Sequence, residues 1–467
     1  MVLIAIRANS SRYSSSVCAC LCVCYCAQMS SPGNDNFFSL LPSRDPGLAL
    51  QMTERILRGM IRSGVWDAHQ ACVLGCDCSP LLNEANATSP AHDALAIEVA
   101  ADSAVLLKNE GDLLPLRPGT TVALVGRGCA EPHQLDPTAW WQASDYYVVG
   151  GSGRVITTPD RAPSIVQALA RRGVLRLRVS PDDTLAGALE AADGADVVLA
   201  CAGATATEAV DRASLALDQQ ELLMQLGAAL RLADIPLGVL AMAPGQIEAP
   251  WANSTSAAMV MFLGGQGTGE AWARLLLGEV VPSGKLPVTL PVHEGDMRAP
   301  CEETSCVYRD GLHFGWTAMI DKPVAFPFGH GLSYSQFRYE WAEGMKPRYF
   351  DDVSSNRSTV APLSVTVFNT GHVPARETVQ LYLSFPATSA LAASEPRMLL
   401  RAFAKTPIMQ PGASYTVAMQ LSSRDLSVWD SSARPGGGWV VVNGNYNVTI
   451  GSSSRDLRLQ TPLFVAA

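Results

Sequence analysis

The sequence predicts an α/β domain, a mostly parallel sheet sandwiched by helices, followed by an all-β sandwich. Between Thr121 and Leu277 short apolar runs alternate with helical patterns; strands spaced by helices of about ten residues imply βαβ crossovers and parallel pairing. After Pro282 the texture changes to Pro/Gly-rich loops, which continue through Gly331. From Leu363 the helical period is lost, and strand-like alternation punctuated by turn residues replaces it.

At 467 residues, 48% hydrophobic and 16% charged, the chain has room for two or three domains with sizeable cores. Its formal charge is −9 and no basic block stands out, which argues against a nucleic-acid partner. Near the start, the apolar stretch Val17–Ala27 is too short to span a bilayer, so no membrane span is expected. It follows Arg7 and Arg12 and has the outline of a signal-peptide core, whereas its alternating cysteines equally suit a translated dinucleotide repeat at a misplaced start.

Taken in order, residues 1–47 carry no sustained period and are expected to be leader and loop. Residues 48–90 hold a helix, Leu48–Ile61, with Ile56/Met60 and Leu57/Ile61 stacked at i,i+4, and then a linker over Asp67–Ser89. The α/β domain is expected over 91–320. It opens with a helix from Ala91 to Leu107, a strand at Thr121–Val125, a helix at Ala162–Arg171 and a strand at Val174–Val179. Helix and strand then alternate through Leu185–Ala192, Asp196–Ala202, Gln219–Leu230, Pro236–Ala241, Ala257–Leu263 and Glu270–Leu277. Residues 321–354 read as linker loops. Within 355–467 strands are expected at Leu363–Phe368, Glu377–Ser384, Met398–Ala402, Ser414–Gln420 and Tyr446–Ile450, with turns at Asn369-Thr-Gly371, Pro411-Gly412, Gly436-Gly-Gly438 and Asn443-Gly444.

The stretch Glu208-Ala-Val-Asp-Arg-Ala-Ser-Leu215 follows the apolar run ending at Gly203 and precedes a helix. It therefore falls at the carboxyl edge of the sheet, where open α/β sheets bind ligands. Alone, Glu-x-x-Asp-Arg is also what a surface salt bridge or helix cap looks like. Outside the leader seven cysteines remain. Cys72, Cys76 and Cys78 lack a partner set at zinc spacing, so no metal is expected, and Cys301 and Cys306 could close a local disulfide in an oxidising compartment. Sequons at Asn9, Asn86, Asn253, Asn356 and Asn447 permit glycosylation without showing secretion.

Several stretches together resemble glycoside hydrolase family 3, the β-glucosidase and β-xylosidase family, from about residue 50 to the end. Met52-Thr-Glu-Arg-Ile-Leu-Arg-Gly-Met60 resembles the helix that closes the family's amino-terminal barrel. Ser103-Ala-Val-Leu-Leu-Lys-Asn-Glu110 and Leu113-Leu-Pro-Leu116 resemble the opening of its second domain. Gly150-Gly-Ser-Gly153, Gly264-Gly-Gln-Gly-Thr-Gly-Glu270, Pro282-Ser-Gly-Lys-Leu-Pro287 and Pro327-Phe-Gly-His-Gly-Leu-Ser-Tyr-Ser-Gln-Phe337 have counterparts, the last being the most specific. Asn369-Thr-Gly371 and the strands after it resemble the family's fibronectin type III-like tail.

The resemblance implies a retaining β-glycosidase acting on a β-linked glucoside or xyloside, with two carboxyl groups about 5–5.5 Å apart and no cofactor. It implies Glu208 as the acid/base, since Glu208 to Arg212 match the family's Glu-Gly-x-Asp-Arg except that Ala209 replaces the glycine. Asp211 and Arg212 are expected to shape the loop, with Arg212 also a candidate sugar contact. Trp140 and Trp141 are candidate stacking residues, although buried aromatic packing is the commoner role of such a pair. At Gly315-Trp316-Thr317 the family's Gly-Tyr-Arg is changed and an arginine contact is lost or moved. The family's nucleophile is an aspartate in a Ser-Asp-Trp motif on a barrel of on the order of 200 residues. The chain contains no Ser-Asp-Trp and no Lys-His pair, and Ser144-Asp145-Tyr146 falls inside the second domain. The expectation is a chain that supplies the acid/base domain but not the nucleophile. The alternatives are a non-catalytic carbohydrate-binding or scaffold protein, and a chain that docks with a separate barrel subunit. The family and the leader together tilt the expected location toward secretion or the endomembrane lumen.

Overall fold

The computed structural model describes residues 46–62, 88–130, 140–155, 157, 160–299, 301, 305–344, 349–351 and 359–466. The leader, Cys72, Cys76, Cys78 and most of the expected linker at Asp67–Ser89 lie outside the described residues. The chain divides into two units, residues 1–89 and 90–467. In the first, α1 (Pro46–Arg62) carries the exposed i,i+4 pair Glu54–Arg58 at 2.7 Å.

The second unit begins with α2 (Pro90–Ser103) and β1 (Val105–Asn109). Here the structure corrects the sequence reading, which carried the helix through Leu107. Val105 and Leu107 belong to one hydrophobic core and Leu106 to the opposite one, an alternation with period 2 that only a strand provides. Next come β2 (Thr121–Val125), α3 (Arg127–Ala130), α4 (Ile165–Arg172), β3 (Arg176–Ser180), α5 (Leu185–Ala192) and β4 (Val197–Gly203). The domain is completed by α6 (Gln220–Leu232), β5 (Leu237–Met242), β6 (Ala257–Met261) and α7 (Thr268–Leu276). The expected helix at Ala162 starts three residues later because Ser164 accepts from Gln167 N while the Gln167 side chain accepts from Ser164 N, a capping box that fixes the boundary.

The sheet order is β1-β6-β5-β4-β2-β3, parallel except for β1, which runs antiparallel to β6. Strands β4, β5 and β6 are buried along their whole length, as continuous apolar runs covered on both faces should be. One face packs on α2, α4 and α7, the other on α5 and α6. Two glycines of Gly264–Glu270 permit close helix approach, since a Cβ on Gly269 would stand 2.1 Å from Pro163 O and one on Gly267 2.9 Å from Ala96 O.

The β-domain strands are β7 (Phe337–Trp341), β8 (Tyr349–Asp351), β9 (Thr359–Asn369), β10 (Thr378–Ser384), β11 (Leu399–Lys405), β12 (Ser414–Ser422), β13 (Ser427–Asp430), β14 (Gly438–Val441), β15 (Gly444–Gly451) and β16 (Leu457–Ala466). They form sheets ordered β11-β10-β15-β16-β8 and β12-β9-β7, with β13-β14 as a separate ribbon. β7 falls in the stretch read as linker loops, yet pairs antiparallel with β9 from Phe337 to Trp341.

The most specific motif, Pro327–Phe337, joins the two domains. His330 Nε2 contacts Leu107 O at 2.8 Å, and burial pushes its imidazole pKa down. A Cβ on Gly329, at φ +76°, would meet the Gln380 side chain, and one on Gly331 would stand 2.2 Å from Gly284 O. Ser335 Oγ donates to buried Asn369 Oδ1 at 2.6 Å, while Asn369 Nδ2 donates to the carbonyls of Val373 and Met409. Lys285 lies 3.0 Å from Glu377, whose Oε1 also accepts from Tyr339 Oη at 2.7 Å; the Lys285 and Glu377 side chains are only 11% and 5% exposed. Trp316 stacks on Phe328 at 4.8 Å and meets Tyr382 edge-on at 5.9 Å. These motif residues hold the α/β domain against the β-domain.

Candidate active site

The site grows from the carboxyl end of β4. Gly203 is buried there, and a Cβ on it would stand 2.3 Å from the Tyr146 ring, so only glycine lets the two segments meet. Beyond it the loop Ala204–Asp218 is closed at its base by Asp218 N donating to Gly203 O at 2.8 Å. Arg212 spans the loop, donating from Nη1 to Gln246 O at 2.9 Å and from Nη2 to Ala216 O at 3.2 Å. Its guanidinium is thus engaged in shaping the loop, and it lines a cavity of about 270 Å³ together with Ser144, Thr205, Thr207, Asp211 and Asp218.

A second loop, Trp140 to Val155, is strapped to the first. Gly150 N donates to Ala206 O at 2.9 Å, Glu208 N to Gly150 O at 3.1 Å, and Gln142 Nε2 to Glu208 O at 3.0 Å. Asp145 Oδ1 accepts from Tyr147 N and Val148 N, which makes Asp145 a turn anchor. Tyr146 fastens both loops to the sheet: its hydroxyl donates to Asp218 Oδ2 at 2.7 Å and accepts from Arg127 Nη2 at 2.7 Å and Gln219 Nε2 at 2.9 Å. Arg127 is also paired with Asp183 and Asp218, both at 3.1 Å.

Glu208 sits on this double loop with its carboxylate turned to Ser152, accepting from Ser152 N at 2.7 Å and Ser152 Oγ at 2.5 Å. Those two bonds favour the ionised form and hold its pKa below the ordinary 4.5. Thr207 and Val210 line the cavity on either side of Glu208, whose own side chain is not part of the wall. Ala209 adopts φ +66°, left-handed backbone that a glycine takes without strain.

The structure places Arg212 on the cavity wall, and it links Trp140 to Glu208 through Gln142, since Trp140 Nε1 donates to Gln142 Oε1 at 3.1 Å. Buried packing, the commoner role for such a pair, does not apply: Trp140 is 69% exposed and Trp141 39%. Sequence reasoning missed Ser152 as the partner of Glu208; the motif Gly150–Gly153 was its only signal. It also missed the disulfide Cys129–Cys201, which joins α3 to β4 behind the site. The expected Cys301–Cys306 pair is present. Among the described residues no group of three or more acidic, histidine and cysteine side chains is placed to hold a metal, and no helix is long and apolar enough to cross a membrane.

Residues 104–334 match the family model for the glycosyl hydrolase family 3 C-terminal domain, and residues 377–454 that for a fibronectin type III-like domain. Over 391 residues the chain is 31% identical to thermostable beta-glucosidase B of Acetivibrio thermocellus, covering 79% of this chain and 48% of that protein. It is 32% identical over 389 residues to an exo-alpha-(1->6)-L-arabinopyranosidase of Bifidobacterium longum, with the same coverages of 79% and 48%. The chain thus spans about half the length of these relatives. Among solved structures, the beta-D-glucoside glucohydrolase of Trichoderma reesei superposes with a TM-score of 0.76 at 26% identity, over 92% of this chain and 62% of that one. The Bifidobacterium adolescentis GH3 beta-glucosidase gives 0.68 at 28% identity, over 92% and 60%. With its double-loop site on a matching α/β domain and the fibronectin type III-like domain behind it, the chain belongs to glycoside hydrolase family 3.

Proposed function

We propose that this chain supplies the acid/base half of a retaining β-glycosidase that cleaves a β-linked glucoside or xyloside. The observation that carries the reading is Glu208, an exposed carboxylate on a loop fixed at the carboxyl edge of the sheet, beside a cavity and the exposed Trp140. A carboxyl group on a rigid loop can protonate a leaving oxygen and then activate water. Of the neighbouring acids, Asp218 is held by Arg127 and Tyr146 and Asp145 caps its own turn, while Asp211 lines the cavity beside Glu208. On the family pattern the nucleophilic carboxylate is assigned to a barrel, in the same polypeptide or on a separate subunit. Two disulfides within the described residues support an oxidising compartment, the lumen or the exterior. Neither metal nor nucleotide is required for cleavage by two carboxylates.

The test joins this chain to the barrel half of its Acetivibrio relative and follows aryl β-glucosides, aryl β-xylosides and an aryl α-L-arabinopyranoside. Glu208→Gln should lower kcat by about 10²–10⁴ for poor leaving groups and much less for leaving groups that depart without a proton. Equal kcat in both proteins across the leaving-group series overturns the assignment.

A further inference from the structure

We propose that Ser152 is a positioning residue that latches Glu208 against the Gly150–Gly153 turn, and that the carboxyl group reaches the cavity only by rotating off Ser152. The inference rests on the reading of Glu208 as acid/base and adds its regulation. Two independent observations carry it. The carboxylate accepts from both Ser152 N and Ser152 Oγ, and the Glu208 side chain is absent from a cavity wall that its neighbours Thr207 and Val210 help to form.

The backbone on both sides is fixed. Glu208 N donates to Gly150 O, Gly150 N to Ala206 O, Gly151 N to Trp141 O, and Gln142 Nε2 to Glu208 O. Only the Glu208 side-chain torsions remain to move the carboxylate. Gly151, at φ +121°, makes the latch sterically possible: a Cβ there would stand 2.6 Å from Glu208 Cβ and 2.8 Å from Oε2. Among the described residues no charged side chain pairs with the Glu208 carboxylate in place of Ser152. Arg154 donates to Trp140 O, Arg212 to the carbonyls of Gln246 and Ala216, and the depression of the Glu208 pKa comes from Ser152 alone.

Latching and protonation oppose each other. Both donors point at one carboxylate oxygen, so the ionised form is the latched one, and a proton taken up there displaces a bond. The latch is complete above the ordinary carboxylate value of 4.5 and is lost as pH falls through the lowered one. In use, the same release follows when an occupant of the cavity offers the carboxyl group a better partner.

The experiment is a carboxyl-carbon NMR titration of the full chain labelled with ¹³C-carboxyl glutamate, with Glu208→Gln assigning the resonance. Ser152→Ala should raise the Glu208 midpoint, Ser152→Thr should keep it low, and Gly151→Ala should raise it by displacing the carboxylate. In the unmodified chain the Ser152 amide proton shift should titrate with the Glu208 midpoint, a comparison that needs neither Ser152→Ala nor Gly151→Ala to fold. An unmoved midpoint in Ser152→Ala, or a Ser152 amide that ignores Glu208, overturns the latch. These signals come from the carboxyl and amide groups and not from turnover, so they fail separately from the leaving-group test of Glu208.

Discussion

Ala209→Gly should stabilise the protein. Ala209 holds φ +66° on the exposed tip of the Glu208 loop, where the family pattern has glycine. An L-residue in left-handed backbone costs roughly 1–2 kcal/mol, and glycine gives back about 0.4–1 kcal/mol through its freer unfolded chain. The difference is a net gain of about 0–1.6 kcal/mol, because the exposed methyl group buries nothing that would be lost. For a domain of 150–250 residues that corresponds to a rise of roughly 0–6 °C in Tm. Urea unfolding monitored by tryptophan fluorescence should show a higher midpoint with an unchanged slope. Ala213→Gly is the control, since Ala213 is exposed on the same loop without a positive φ; it should lose about 0.4–1 kcal/mol. If both variants lose stability equally, the left-handed strain at Ala209 is not there.

Gly203→Ala puts a methyl group into the Tyr146 ring and should cost about 1–3 kcal/mol or more by overpacking, read by urea unfolding, with loss of the Tyr146–Asp218 bond. Glu377→Ala leaves Lys285 buried at the domain junction without its paired carboxylate, with only the Gly331 carbonyl still accepting from its ammonium, which should cost about 3–5 kcal/mol and split one calorimetric transition into two. Replacing Cys129 and Cys201 with alanine opens a closure 72 residues apart and should cost about 2–4 kcal/mol, measured against the non-reduced parent. His330 is held neutral by burial, its pKa below the ordinary 6.5. Its contribution is full above that value and is lost as pH falls toward the lowered one, because the unfolded chain takes the proton first. Urea midpoints at about pH 7.5 and about pH 5.5 should differ less in His330→Gln than in the parent.

Much of the fold was legible because its residues sit where local rules are strong. Thr121–Val125 and Leu185–Ala192 were placed at the observed bounds, since a buried β-rich run and a Thr-capped helix each carry their own period. Val105–Leu107 was not, because three apolar residues after a helix fit either period until a neighbouring strand supplies the pairing. β16 escaped notice because Pro462 interrupts its alternation. The place of Glu208 on the loop after β4 was legible from the sequence, whereas Ser152 lies 56 residues away and contacts it only through the fold. The Cys129–Cys201 pair was hidden for the same reason, since spacing alone does not pair cysteines. Gly329, Gly331 and Asn369 stood out as family signatures. Their role is packing and hydrogen bonding between domains, which periodicity does not reveal.

The most direct measurement is hydrolysis of aryl β-glucoside and β-xyloside by the purified 467-residue chain, with Glu208→Gln and Asp145→Asn in parallel. An acid/base without its nucleophile gives no turnover in any of the three proteins. Turnover that survives Asp145→Asn and vanishes with Glu208→Gln would mean that this chain carries its own second carboxylate, and that the nucleophile does not lie on a barrel.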